Sequence, residues 1–197
     1  MTTPWGSSGR DRKRISYPGD LRRLASFYSK SLLIQKTSVK NTSVLFVCMG
    51  NICRSPTAEG VFHRLTREAG VHERVTIDSA GTHDYHVGEP PDGRAQEAAR
   101  RRGYDLSELR GRQVAERDFR DFDYILAMDR ENLAMLQRDC PPEHRHKVRL
   151  YLSFSHRFPN LEVPDPYYGG RQGFDQVLDM VEDAAKGLME EMGLDRD

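Results

Sequence analysis

The sequence of 197 residues has few cysteines and no long apolar run. Three cysteines are too few and too odd in number for a disulfide framework, so we expect a reducing compartment and a cytoplasmic location. No segment approaches the roughly 18 apolar residues that a membrane-spanning helix needs. We therefore predict no integral membrane segment, and we predict no nucleic-acid partner for a chain whose formal net charge is zero.

The zero net charge conceals two regions of opposite sign. Residues 1–40 carry nine lysine or arginine residues against two aspartates, whereas the remainder carries 21 basic and 28 acidic residues. The basic region lacks strand-like periodicity and the apolar core of a secretory signal. We predict a basic, disordered extension over residues 1–42 and one α/β domain over residues 43–197. A short amphipathic helix and an organellar transit segment are the alternatives for the extension.

Strand-like and helix-like segments alternate from residue 43 onward. Short apolar runs predict strands, and 3.6-residue periodicity predicts helices. The predicted strands are 44–47, 75–78, 124–127 and 148–151, and the predicted helices are about 56–69, 93–102, 130–138 and 173–192. This alternation indicates a parallel sheet flanked by helices on both faces, with right-handed crossovers. In such sheets, ligands bind beyond the carboxyl ends of the strands.

The first predicted strand leads into the segment VCMGNICRSP, residues 47–56. Backbone N–H groups of its loop and the N-terminus of the following helix can bind a phosphate-sized anion. The thiol of Cys48 is expected to ionise below its usual pKa of about 8.5, because the helix dipole and Arg54 favour thiolate. Gly50 and Asn51 tolerate positive φ, and Ser55 can donate a hydrogen bond. The pattern predicts phosphoryl transfer through cysteine, and a buried, inert cysteine is the alternative.

A second candidate segment, VPDPYYGG, occupies residues 163–170 between the last strand and the last helix. Displacing a phenolate or alkoxide needs a proton donor, and Asp165 near a bound dianion can stay protonated near neutral pH. Flanking prolines stiffen the backbone, and Tyr167 and Tyr168 can wall a pocket for an aromatic substrate. The alternative is an ordinary turn with core tyrosines.

Metal-binding patterns are weak in this chain. The pairs His83/His86 and His144/His146 lack convincing ligand spacing, and no second pair matches Cys48 and Cys53. We predict neither a metal nor a cofactor.

The motifs VCMGNICRSP and DPYYGG, with DSAGT (78–82) and FDYILAMD (122–129) between them, resemble the low molecular weight protein tyrosine phosphatases. The resemblance runs from about residue 43 to the C-terminus. It implies a four-stranded parallel sheet of Rossmann-like topology. It also implies hydrolysis of phosphotyrosine-containing proteins through a phosphocysteine intermediate, without a metal.

The resemblance also implies roles for individual residues. Cys48 would be the nucleophile, Arg54 would bind phosphate and stabilise the transition state, and Asp165 would act first as acid and then as base. Asn51 and Ser55 would support the loop and the thiolate, and Asp129 would be a helix cap. The substrate-binding positions would be Met49, Gly50, Asn51, Ile52, Cys53, Ser55, Tyr85, Tyr167 and Tyr168.

Two related functions remain as alternatives. Arsenate reductases share the anion-binding loop but relay electrons through two further cysteines, and only Cys140 is available for that relay here. Protein arginine phosphatases usually have threonine where Ile52 stands and phenylalanine where Tyr167 stands. We therefore expect preference for phosphotyrosine, because a long flat side chain can reach a recessed thiolate.

Cys53 suggests sensitivity to oxidation. An accessible thiolate is the species that peroxide attacks, and Cys53 is close enough in sequence to capture oxidised Cys48 as a disulfide. The alternative is that Cys53 only fills space behind the loop, where the tight curl holds the two sulfurs apart.

Overall fold

A four-stranded parallel sheet organises the fold. The computed structural model describes Met1, residues 41–158 and residues 162–195, so the expectations for residues 2–40 lie outside the described residues. Strands β1 to β4 form the sheet in the order β2-β1-β3-β4, and every neighbouring pair is parallel. Their bounds are β1 (Thr42–Cys48), β2 (Val75–Gly81), β3 (Tyr124–Ala127) and β4 (Val148–Leu150). The predicted sheet is confirmed.

Helices connect and cover the strands. They are α1 (Arg54–Glu68), α2 (Gly93–Arg101), α3 (Glu116–Asp121), α4 (Arg130–Asp139) and α5 (Gly170–Glu191), with 3₁₀ turns at His72–Arg74, Pro142–Lys147 and Tyr151–Phe154. The four predicted helices are present with shifted ends. Helix α3 was not predicted, because six residues are too few to display a helical period. Tyr151 was predicted to end the last strand, but it begins a 3₁₀ turn instead.

The side chains of β1 alternate between two hydrophobic cores. Val44 and Phe46 pack into the core that also contains residues of α1 and α5, whereas Leu45 and Val47 pack into the core with residues of α3 and α4. Since β1 is covered on both faces, it reads as a continuous apolar run. The predicted apolar stripe of α5 is buried, as Phe174, Val177, Leu178, Val181, Ala184, Ala185, Leu188 and Met189.

The strand order determines where a ligand can bind. From β1 the chain moves to β2 on one side, and β3 lies on the other side, so a crevice opens at the carboxyl ends of β1 and β3. Cys48 ends β1, and Asp129 follows β3 at the same edge. Within the part of the chain that the structure describes, no helix has the length and apolar character needed to cross a membrane.

Candidate active site

The loop of residues 49–53 surrounds the sulfur of Cys48, which is only 3% exposed. The backbone N–H of Asn51 donates to Cys48 Sγ at 3.3 Å, and Ser55 Oγ lies 3.1 Å from the same sulfur. Helix α1 begins at Arg54, so the positive end of a 15-residue helix lies beside this loop. Hydrogen-bond donors and a helix N-terminus together stabilise negative charge on the sulfur.

Asn51 lies beneath the loop and is almost fully buried. Of the non-glycine residues that the structure describes, it alone has a positive φ, at 56°. Its amide nitrogen donates to Ser55 Oγ at 2.9 Å and to Ser79 Oγ at 2.8 Å, and its amide oxygen accepts from the Arg112 backbone N–H at 2.9 Å. Ser79 in turn donates to the buried carboxylate of Glu59 at 2.6 Å. Asn51 and Ser55 therefore support the loop from behind and do not line the cleft.

Two glycines give the loop room. We expected Gly50 to use its tolerance of positive φ, but its φ is not positive. A β-carbon at Gly50 would instead approach His86 Cδ2 to 3.0 Å. Gly81 ends β2, and a β-carbon there would lie 2.8 Å from the backbone oxygens of Met49 and His83. Glycine avoids a close contact with the His86 ring at position 50 and with neighbouring backbone at position 81.

The guanidinium of Arg54 is buried between two carboxylates. Nη1 lies 2.5 Å from Asp129 Oδ2 and donates to the Val163 carbonyl oxygen at 3.2 Å, and Nη2 lies 3.3 Å from Asp165 Oδ2. Burial acts to lower the pKa of Arg54, but the negative charges of Cys48 and the two carboxylates raise this pKa above its ordinary value. Arg54 is therefore a fixed cation beside the sulfur.

Asp129 has a second contact that the sequence did not reveal. Its Oδ1 accepts from the Asn132 backbone N–H at 2.7 Å, so the predicted helix cap of α4 is confirmed. Its other oxygen holds Arg54. The only sequence signal for that ion pair is the position of Asp129 directly after β3, at the edge where Cys48 ends β1.

Asp165 lies at the mouth of the site, with its side chain 45% exposed. The backbone N–H of Val163 donates to the Met128 carbonyl at 2.8 Å, which ties the start of this loop to the end of β3. Asp165 Oδ1 accepts from the Tyr167 backbone N–H at 3.1 Å. The carboxyl group thus lies between Arg54 and solvent.

A cleft of about 330 Å³ leads to the sulfur. Its lining residues are Cys48, Met49, Gly50, Ile52, Cys53, Arg54, Tyr85, His86, Asp165, Tyr167 and Tyr168. Tyr85 and Tyr168 are largely exposed, and Tyr85 stacks on His83 with ring centroids 4.9 Å apart. His86 was not predicted, although it directly follows Tyr85. A larger groove of about 630 Å³ along α2 has no cysteine in its lining, so volume alone does not identify the site.

The three cysteines are free and buried, but they lie in different places. Cys48 and Cys53 belong to one core, and Cys140 belongs to the core on the opposite face of the sheet. Burial, reinforced by the negative charge of Asp92, raises the pKa of Cys53 to about 12. Cys53 is therefore a neutral thiol at physiological pH.

The side chains of the His83/His86 pair make other contacts. His86 Nδ1 lies 2.6 Å from Glu89 Oε2, and His83 Nδ1 lies 3.0 Å from Thr82 Oγ1. Among the residues that the structure describes, no group of three or more His, Cys, Asp or Glu side chains is arranged to hold a metal ion.

A buried cysteine sulfur beneath backbone and hydroxyl donors, with a fixed guanidinium and an exposed carboxyl group at its rim, defines the class of cysteine-dependent phosphatases. Comparison with known proteins specifies the family. A family sequence model described as low molecular weight phosphotyrosine protein phosphatase matches residues 43–197.

Relatives and solved structures agree with that match. The chain is 43% identical over 154 residues to the low molecular weight phosphotyrosine protein phosphatase of Schizosaccharomyces pombe, covering 76% of this chain and 98% of the relative. It is 40% identical over 149 residues to the human low molecular weight phosphotyrosine protein phosphatase, covering 75% of this chain and 94% of the relative. A crystal structure of a protein tyrosine phosphatase from Entamoeba histolytica, with Hepes in its active site, matches with a TM-score of 0.75 at 41% identity, covering 77% and 97%.

The chain belongs to the low molecular weight phosphotyrosine protein phosphatase family. It is an enzyme of that family, a protein tyrosine phosphatase. The resemblance seen in the sequence is confirmed.

Proposed function

We propose that the protein removes phosphate from phosphotyrosine in two steps, through a phosphocysteine at Cys48. The observation that carries this proposal is the buried Sγ at the floor of the cleft, with Asn51 N at 3.3 Å and Ser55 Oγ at 3.1 Å. In the first step, the thiolate attacks phosphorus and the bond from phosphorus to the tyrosine oxygen breaks, while Asp165 donates a proton to that oxygen. In the second step, Asp165 takes a proton from water, which attacks phosphorus and releases phosphate and the thiolate.

Arg54 supplies the main positive charge in this mechanism. Negative charge accumulates on the phosphoryl oxygens as the bonds to sulfur and oxygen exchange, and a preorganised cation lowers the energy of that state. Asp129 holds one edge of the guanidinium at 2.5 Å, so Arg54 needs little reorganisation when the substrate binds. The protons in the two steps move only between Asp165, the tyrosine oxygen and water, and no metal takes part.

The cleft supports phosphotyrosine as the substrate. Its thiol lies at the bottom and Tyr85, Tyr167 and Tyr168 lie around the opening, so a phosphorylated side chain must be long and flat to reach the sulfur. Ile52 adds an apolar side chain to the lining. Phosphoserine and phosphothreonine are too short, and phosphoarginine would bring a charged guanidinium against these apolar walls.

The chemistry of the cysteine nucleophile indicates the cellular compartment of the enzyme. A nucleophile that must remain a free thiol suits a reducing compartment, so we place the enzyme in the cytoplasm. Residues 43–197 would form the catalytic domain, and residues 1–42 would be a basic extension that catalysis does not require.

Cys53 fits a protective role when the enzyme is oxidised. Peroxide converts the Cys48 thiolate into a sulfenic acid. Cys53 then loses its proton and its sulfur attacks the Cys48 sulfur, the hydroxyl group leaves with that proton as water, and the product is a Cys48–Cys53 disulfide that a dithiol can reduce. Cys53→Ser should be active before treatment. After peroxide treatment, dithiol should restore the unmutated enzyme, whereas Cys53→Ser should recover poorly. Full recovery of Cys53→Ser, or a disulfide between Cys48 and Cys140, would show that this role is wrong.

The substrate assignment is tested with peptides that differ only in the phosphorylated residue. We expect kcat/KM for phosphotyrosine to exceed kcat/KM for phosphoserine, phosphothreonine and phosphoarginine, with and without a metal chelator, and Cys48→Ser to have no activity. A preference for phosphoarginine, reduction of arsenate, or loss of activity on chelation would contradict the proposal.

A further inference from the structure

Helix α2 begins in contact with the loop that surrounds the sulfur. The backbone N–H of Asp92 donates to the carbonyl oxygen of Ile52 at 2.8 Å. The Asp92 side chain caps α2 by accepting from the Arg94 backbone N–H at 2.8 Å. Asp92 is therefore fixed both to the loop below and to its own helix.

Arg94 continues this connection to the loop that carries Asp165. Its Nε lies 3.0 Å from Asp92 Oδ1 and its Nη2 lies 2.7 Å from Asp92 Oδ2, which is a bidentate pair. Its remaining Nη1 donates to the Tyr167 carbonyl oxygen at 2.9 Å. The guanidinium also lies 5.1 Å from the centroid of the Tyr167 ring and 5.0 Å from that of Phe174 on α5.

Tyr167 completes the path, because its backbone N–H donates to Asp165 Oδ1 at 3.1 Å. From these contacts we propose that the Asp92–Arg94 pair is a positioning unit that holds Asp165 above Cys48. This inference rests on the proposed function, in which Asp165 is the general acid. Arg94 does not line the cleft, so it acts through the loop and not on the substrate.

The planar guanidinium is essential to this arrangement. Three of its donors point to three acceptor atoms on two residues at fixed angles, whereas a lysine ammonium is a point charge that cannot reproduce the same contacts. The hydrogen bond with Arg94 holds the pKa of Asp92 below its usual range. The pair accordingly remains charged when the pH falls below neutrality.

A displaced acid has a characteristic kinetic effect. A phenol with a low pKa leaves without protonation, whereas a phenol with a high pKa needs a well-placed proton donor. Loss of positioning should therefore slow substrates with poor leaving groups selectively. General damage to the fold would slow all substrates by the same factor.

The test measures kcat/KM for a series of aryl phosphates whose phenols differ in pKa. We expect Arg94→Ala to lose about tenfold in kcat/KM on the poorest leaving groups, because a misplaced acid forfeits only part of the roughly 10² to 10⁴ that a general acid contributes. On nitrophenyl phosphate the loss should be less than about twofold. Arg94→Lys should show the same selectivity more weakly, and this variant replaces Arg94→Ala in the test if the alanine variant does not fold. Arg101→Ala is the matched control. The Arg101 side chain is as exposed as that of Arg94, lies on the same helix α2 and pairs with Asp175 of α5. It should leave the series unchanged.

The same substitution in an Asp165→Asn background separates the two proposals. If Arg94 acts through Asp165, the extra loss on poor leaving groups should disappear there. If Asp165→Asn slows all substrates equally, the acid assignment is wrong and the inference falls with it. If Asp165→Asn is selective but Arg94→Ala is not, or if the two losses multiply, the positioning role alone is wrong.

Discussion

Replacing Asn51 by alanine is expected to destabilise the protein and slow catalysis together, because one buried side chain connects the loop around Cys48 to β2 and to Arg112. Alanine removes the hydrogen bonds from Asn51 to Ser55 Oγ, to Ser79 Oγ and from the Arg112 backbone N–H. Alanine must also adopt a φ of 56°. The loop would then lose both its support and a residue suited to its backbone conformation.

The structure gives the size of the effect. Three buried hydrogen bonds contribute about 1 kcal/mol each, so their loss costs about 3 kcal/mol. A left-handed alanine adds about 1 kcal/mol. The sum for Asn51→Ala is about 4 kcal/mol. Asn51→Gly loses the same hydrogen bonds without the backbone strain, but the greater freedom of glycine in the unfolded chain costs about 0.5 kcal/mol, so its loss should be about 3.5 kcal/mol.

Urea unfolding followed by circular dichroism measures both values, with kcat measured on the same samples. A loss below about 1 kcal/mol for Asn51→Ala would refute the argument that these hydrogen bonds hold the loop. A glycine variant less stable than the alanine variant would refute the argument from backbone strain. A normal kcat in either variant would show that catalysis does not depend on the support that Asn51 gives to the loop.

Further predictions concern Asp129, two glycines and Cys53. Asp129→Asn keeps a residue suited to capping α4 but removes the charge that faces the buried guanidinium, so kcat/KM should fall at least tenfold and Tm should also fall. Gly187→Ala should destabilise the protein by about 1–3 kcal/mol, since its β-carbon would overlap the Phe154 carbonyl oxygen; Gly93→Ala, whose β-carbon meets nothing within 4 Å, is the control. The fold favours the neutral Cys53 thiol, whose pKa is raised to about 12, so stability from this group is complete below pH 9 and is lost above it. Between pH 9 and about pH 12, the free energy of unfolding of the unmutated enzyme should fall by about 1.4 kcal/mol per pH unit relative to that of Cys53→Ser, as measured by urea unfolding at each pH.

Much of the fold was predictable because its strands are short apolar runs separated by clear helical periods. The continuous run at Val44–Val47 reflects burial on both faces of the sheet, which leaves a strong signal. Helix α3 and the 3₁₀ turns were missed because they are too short to show a period. Tyr151 was wrongly placed in a strand because an apolar aromatic residue suits both a strand end and a buried 3₁₀ turn.

The site was predictable where its residues are contiguous in sequence. Cys48 and Arg54 bracket one loop, so their proximity follows from the motif itself. The contacts of Arg54 with Asp129 and of Asp92 with Ile52 join segments that are far apart in sequence, and only the assembled fold reveals them. Burial of Asn51 was hidden for the same reason, because the partners of its side chain come from β2 and from the segment before α3.

The phosphocysteine at Cys48 is the central claim of this account, and trapping it is the most direct test. A phosphotyrosine peptide mixed with enzyme for milliseconds and then quenched under denaturing conditions that preserve phosphocysteine should leave phosphate on one enzyme residue, identified by mass spectrometry of the digested protein. We predict phosphate on Cys48 in the unmutated enzyme and in Asp165→Asn, and no phosphate on the enzyme in Cys48→Ser. Turnover without any phosphoenzyme, or phosphate on another residue that persists in Cys48→Ser, would contradict the account.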